Sequence, residues 1–191
     1  MNSLPPMKQL YLELTEYRNK YRIHLGNGSW LTFENKTQAA KFLRKYKRII
    51  RDNVNMLNLL QPNVNQLYRQ TYFQLSERDI NHYKRLFHGF DDRFIFIFKK
   101  FSSGNRNAFV FQNIQTCFNI LIEIVESLHV FGQKSKNYNL TTNTRPLLKH
   151  LEALNDTLSN DKRNLFMNDK NVIELKNYRN ESTNTKQSVG N

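Results

Sequence analysis

A single cysteine, Cys117, stands among the 191 residues, so the chain can form neither an internal disulfide nor a zinc site built from several thiolates. It sits within an apolar run and reads as a small buried hydrophobe. Acidic side chains are also scarce: 16 Asp and Glu face 29 Lys and Arg, a formal charge of +13. There is no phosphate-cradling glycine loop, no paired-carboxylate signal and no nucleophile elbow, and with them go the familiar signatures of phosphoryl, glycosyl and acyl transfer. His82 and His88 lie near Asp79, Asp91 and Asp92. A six-residue spacing does not put two histidines on one face of a helix, and no second cluster completes four ligands, so neither a metal nor a cofactor is expected. The opening residues MNSLPPMKQL lack the apolar core of a signal peptide. The most apolar segment, residues 109–125, is broken by Gln112, Asn113, Gln115, Asn119 and Glu123 and reads as too polar for a membrane span. The expectation is a cytoplasmic protein with no membrane partner.

What is present is material for a core. Hydrophobic residues make up 39% of the chain, with 14 Phe and 9 Tyr, so it should fold rather than remain disordered. Asparagine is more frequent than leucine, and Lys, Ile, Tyr and Phe are abundant. AT-rich codons favour this set, which points to a low-GC bacterium or its phage. The excess of positive charge repels itself, and its usual reason is a polyanionic partner, nucleic acid before an anionic surface.

Three short segments alternate with period two. Leu10, Leu12 and Leu14 form one apolar set, Tyr21, Ile23 and Leu25 a second, Leu31 and Phe33 a third. TEYRNK and Gly26-Asn27-Gly28-Ser29 serve as the linkers, giving a three-stranded antiparallel meander. Its other face would carry Tyr11, Glu13, Arg22, His24, Trp30 and Thr32. Asn35 followed by Gln38 resembles a capping box, and a helix is expected from there to about Leu60, ended by Pro62. Ala39, Leu43, Tyr46, Ile50, Leu57 and Leu60 make its apolar stripe, with Asn53 as a polar member. A shorter helix then carries Val64, Leu67, Tyr68, Thr71 and Leu75.

FIFIF at 94–98 alone would suggest a buried strand. Over a wider window Ile80, Tyr83, Phe87, Phe90, Phe94, Ile97 and Phe101 keep a three-four spacing, which predicts one helix over 77–101, begun by Ser76 with Asp79 and weakened at Gly89. SSGN at 102–105 is a loop. A helix over 107–131, apolar on most of its circumference, should be central in a bundle or shared with a partner, and Gly132 should end it. QKSKNYNLTTNT reads as loop, Thr144 and Pro146 as a helix start, and a last helix covers 161–178 before a disordered tail at 180–191. The fold class is therefore α+β, predominantly α: a small β-meander with a basic helix over 1–60, then an antiparallel helical bundle over 61–179, the two possibly continuous.

Between residues 36 and 51 there is no acidic side chain. Lys41, Arg44, Lys45 and Arg48 fall opposite the apolar stripe, with Arg51 beside them and Lys36 and Lys47 nearby. Clustered cations of this kind release counterions from phosphates, and an aromatic beside them can stack on a base. The candidate nucleic-acid-binding set is therefore Arg22, His24, Trp30, Lys41, Arg44, Lys45, Arg48 and Arg51, although such a face can equally be a solvated helix surface. In element order alone, a three-stranded sheet on one helix resembles the small DNA-binding modules of plant transcription factors and of some integrase N-terminal arms.

Two other classes remain. RPLLKH, from Arg145 to His150, resembles the Arg-x4-His ribonuclease motif of the HEPN superfamily, whose members are helical bundles that commonly dimerise. The resemblance implies that His150 would act on the 2′-hydroxyl or leaving group and Arg145 would stabilise the phosphorane charge. Pro146 departs from the pattern, which usually has a polar residue there. The alternative is an assembly protein, a homo-oligomer joined through the apolar helices of the bundle. The leading expectation is a non-enzymatic nucleic-acid-associated protein, DNA or RNA, that holds phosphates on its basic helix.

Overall fold

In the computed structural model of the chain, residues 14–26, 29–99, 110–166 and 173–174 are described, without the side chains of residues 17, 24–26, 29, 30, 98, 99, 173 and 174. The expected positions at 9–13, Asn27, Gly28, Phe101, the loop at 102–105 and the tail at 180–191 lie outside them.

The first hairpin is tighter than the sequence suggests. Thr15, Glu16 and Tyr17 belong to β1 (Leu14–Tyr17) and Lys20 opens β2 (Lys20–Gly26). Only Arg18 and Asn19 turn the chain, at φ 51 and 62. Two successive left-handed residues give the turn whose twist matches antiparallel strands; Asn tolerates it, and Arg18 accepts a strain of about 1 kcal/mol. β3 (Ser29–Phe33) then pairs back on β2, with Tyr21 opposite Phe33 and Ile23 opposite Leu31. Residues directly opposite share a face. Ile23, Leu31 and Phe33 are accordingly all buried, with Leu14 and Tyr21 packed beside them.

That face is covered by α1 (Lys36–Thr71). Asn35 caps it: its backbone is extended and its Oδ1 accepts from the Gln38 amide at 2.9 Å. The reciprocal half of the capping box is absent, since Gln38 Oε1 is buried without a partner. The helix does not stop at Leu60. It runs through Pro62 for 36 residues, joining what the sequence divides into two helices. Proline costs about 3 kcal/mol inside a helix. Here Leu57, Leu60, Val64, Leu67, Tyr68 and Thr71 are buried in unbroken helical spacing on one side of it, and Pro62 itself is exposed. Burial of that stripe outweighs one lost hydrogen bond. The stripe is also wider than expected, taking in Phe42, Ile49 and Val54.

A short 3-10 turn (Tyr72–Gln74) leads to α2 (Glu77–Lys99), in which FIFIF is helical as its wider periodicity requires. Ser76 Oγ accepts from the Asp79 amide at 3.2 Å and donates to its carboxylate at 2.6 Å, fixing the first turn. α3 (Val110–Lys134) packs on α1, α2 and α4 (Tyr138–Phe166) and is the central helix. It is long and apolar enough to cross a membrane by length and composition, contrary to expectation, yet Ile114, Cys117, Phe118, Leu121, Ile124, Val125 and Leu128 are fully buried against its neighbours.

The α3–α4 connection corrects the sequence reading most. Gly132 does not end α3. It is buried inside the helix, where an added Cβ would stand 3.0 Å from Thr141 Cγ2 and 3.3 Å from Leu140 Cβ. The glycine is there for close helix approach. The end comes at Lys136, whose φ is 55, with the Asn137 amide bonded to the Gly132 carbonyl at 2.8 Å and the Lys136 amide to Gln133 at 3.3 Å. This is a Schellman ending with lysine where glycine is usual. Asn137 at once caps α4, its Oδ1 accepting from the Leu140 amide at 3.1 Å. Thr144 and Pro146, expected to begin a helix, therefore lie inside one, and Thr144 is completely buried.

α4 ends at Phe166, and residues 173–174, expected to be helical, form a short strand β4 (Ile173–Glu174) that pairs with β3. The sheet order is β1-β2-β3-β4. The protein is thus a mostly helical α+β fold: a three-stranded N-terminal antiparallel sheet, extended by β4, against a long helix, then four-helix packing.

Candidate nucleic-acid interface

The basic face depends on how firmly α1 is held from behind. Phe42 meets Phe33 of β3 with ring centroids 5.4 Å apart, and Tyr46 meets Phe111 of α3 edge-on at 5.3 Å. With Ala39, Ile49 and Ile50 also buried, rotation of the helix about its axis is blocked. At about 100° per residue, the opposite face must then point outward. Lys36, Lys41, Arg44, Lys45, Arg48 and Arg51 are all exposed, and Lys47 is half-buried at the margin. The structure thus brings the helix residues of the candidate set together on one surface.

Among the described residues this surface is compensated only at its Arg51 end. Residues three and four apart on a helix are neighbours, so Lys41–Arg44, Lys41–Lys45, Arg44–Arg48, Lys45–Arg48 and Arg48–Arg51 oppose one another; at about 0.2–0.5 kcal/mol each, the repulsion totals about 1–2.5 kcal/mol. The first turn contains no acidic residue to answer the positive end of the helix dipole. Arg51 reaches Asp52 at 3.5 Å, with both side chains more than half exposed. Among the described residues no ion pair involves Lys41, Arg44, Lys45 or Arg48.

The sheet residues are placed differently. Arg22 pairs with Thr32 and His24 with Trp30, so the four are in phase with one another and out of phase with the buried set facing α1. The side chains of His24 and Trp30 are outside the described part. On that second face Thr32 is only 4% exposed and Arg22 is half-buried. Arg22 is thus less accessible than the exposed cations of α1.

Arg145 and His150 are both exposed on α4, about 140° apart at five residues' separation. Arg145 faces a groove with His129 and Lys136, whereas His150 faces another beside Asn63, Gln66 and Gln70 of α1. Within one chain they do not converge on a common substrate position. His82 approaches Glu123 at 3.6 Å and His88 approaches Asp92 at 3.5 Å. Among the described residues no group of three or more His, Cys, Asp or Glu could hold a metal. Cys117 is fully buried, and that burial pushes its thiol from 9.0 to about 12, so it offers no nucleophile.

Sequence reasoning found the α1 surface because charge and periodicity agree there. It passed over the groove beside Arg145, because Gln133, Lys136, Tyr138, Thr141 and Thr142, which help build that groove, were read as loop. No protein-family model, curated protein or solved structure matches the chain.

Proposed function

We propose that this is a non-enzymatic nucleic-acid-associated protein that holds phosphate backbone on the outer face of α1. The observation that supports it is the rigid row Lys41, Arg44, Lys45, Arg48 and Arg51, exposed and free of carboxylates over residues 36–51. The like-charge repulsion it carries is relieved when phosphates neutralise it, and counterion release then drives association. Contacts of this kind position a backbone and do not read sequence.

The alternative of a helical assembly protein drew its support from the apolar circumference of α3 and the aromatic stripe of α2. Most of that circumference packs within the chain against α1, α2 and α4, with Val130 left exposed.

Binding to single- and double-stranded DNA and RNA across a salt series tests the proposal. For duplex DNA the log-log salt slope is about −0.9 per neutralised phosphate. Replacing Arg44, Lys45 and Arg48 together by Gln should weaken binding and reduce the slope by about 2–3. Unchanged affinity and slope would remove α1 from the interface.

A further inference from the structure

A second surface lies where α3 ends and α4 begins, around residues 133–144, which the sequence assigns to a loop. Between these helix ends is a cavity of about 730 Å³, within the range that takes a small organic ligand. Its lining includes Lys136, Arg145 and His129 but no carboxylate. Such a wall selects an anion.

We propose that this groove binds a nucleoside phosphate, with Lys136 and Arg145 on the phosphate and Tyr138 against the base. This goes beyond the α1 interface, because the two surfaces sit at opposite ends of the bundle. The first half of α1 packs on Phe166 at the far end of α4, and from there back to Arg145 the helix rises about 30 Å.

The backbone at Lys136 is one support. Its φ of 55 places a lysine where the Schellman ending favours glycine. A non-glycine residue there costs about 1 kcal/mol, and strain kept at a cavity rim is a mark of use. Tyr138 is another: its ring is 78% exposed at the same rim. A free aromatic beside two cations suits a base attached to a phosphate, since stacking is worth about 1–3 kcal/mol per base.

The third support is the fixed polar wall. Thr144 Oγ1 donates to the Leu140 carbonyl at 2.7 Å and lies in hydrogen-bond contact with His129 Nδ1 at 2.8 Å. His129 Nε2 is in hydrogen-bond contact with the Gln133 side-chain amide at 3.1 Å. The His129 ring is thereby held in place at the rim, and the Gln133 side-chain amide beside it can hydrogen-bond a base or a sugar hydroxyl. The helix terminus itself is not the binding group, because Asn137 already occupies the Leu140 amide.

The phosphate could belong to a free mononucleotide or to the phosphorylated end of a strand. Calorimetric titration of the full chain with AMP and UMP, adenosine, inorganic phosphate, and a tetranucleotide with or without a 5′-phosphate covers both. A 5′-phosphorylated ligand should bind at least tenfold tighter than its unphosphorylated counterpart. Arg145→Gln should weaken it tenfold or more. Lys136→Gly should weaken it while leaving the melting temperature unchanged or higher, since glycine suits φ 55; the loss then cannot come from unfolding. Tyr138→Ala should lower nucleotide affinity and leave inorganic phosphate unchanged. Binding of AMP or UMP identifies the free nucleotide, and binding of only the phosphorylated tetranucleotide identifies a strand end; either supports the site. No saturation by any phosphorylated ligand at millimolar concentration, or equal binding by Arg145→Gln and Lys136→Gly, would overturn it. Because these ligands carry one phosphate or a few, their failure is distinguishable from failure of long nucleic acids to bind α1.

Discussion

Phe166, the last residue of α4, meets Phe42 of α1 edge to face with ring centroids 5.9 Å apart. The same Phe166 ring lies 6.0 Å from Phe111 of α3, and Phe42 lies 5.4 Å from Phe33 of β3. One aromatic cluster thus ties the sheet, the basic helix and both later helices. Phe42 is 3% exposed, so Phe42→Ala should cost about 3–5 kcal/mol in urea unfolding. Phe166→Ala should cost less, because that ring is only half-buried. A loss below about 1 kcal/mol for Phe42→Ala would show that the sheet is not docked through this ring.

The two helical glycines should respond in opposite directions. A Cβ at Gly89 would lie 3.8 Å from Ile120 Cδ1, an ordinary contact, so Gly89→Ala should stabilise by about 0.5–1 kcal/mol through helix propensity. At Gly132 the Cβ would meet Thr141 and Leu140 at 3.0 and 3.3 Å. Gly132→Ala should therefore destabilise by about 1–3 kcal/mol, less the propensity gain. Thermal melts of both variants measure the two signs, and stabilisation by Gly132→Ala would mean that α3 and α4 sit further apart.

Pro62 is exposed inside α1 and Pro146 inside α4. Replacing either by Ala restores a backbone donor and should stabilise by up to about 3 kcal/mol, reduced by about 0.4–1 kcal/mol through greater freedom of the unfolded chain. Chemical denaturation of Pro62→Ala gives the answer. A destabilised variant would place a real break between the two halves of α1.

Alkaline pH should unfold the protein progressively. Burial holds Cys117 from 9.0 up to about 12, and burial with the charge of Asp79 holds Tyr83 from 10.0 up to about 12 against the Ser127 hydrogen bond. Both are folded in the neutral form, and the unfolded chain loses those protons first. Their contribution is complete below about pH 9 and declines as pH rises towards 12. Stability measured between pH 7 and 11 should fall, and Cys117→Ala should flatten the onset. A profile identical in the wild type and Cys117→Ala would contradict the thiol's share.

Where short-range rules and burial agree, the elements can be read in one dimension. The spacing from Ile80 to Ile97 overrides FIFIF, Asn35 caps α1, and Lys41, Arg44, Lys45 and Arg48 share a surface because the helical period leaves them no other. Where a residue type admits two structural roles, the sequence alone could not choose. Pro62 can end a helix or be carried through one, Gly132 can cap or admit a neighbour, and Thr144 can begin a helix or bond inward to Leu140 and His129.

The sequence by itself therefore determined the composition of the core, the helical periods and the charge of α1, each a property of residues within a few turns of one another. Only the tertiary structure decided that α1 passes Pro62, that α4 begins at Tyr138, that residues 173–174 join the sheet, and that Lys136 and Arg145 line one groove. These outcomes depend on burial and pairing against segments far away in the chain, whose free energy outweighs the local cost of a proline or a left-handed lysine.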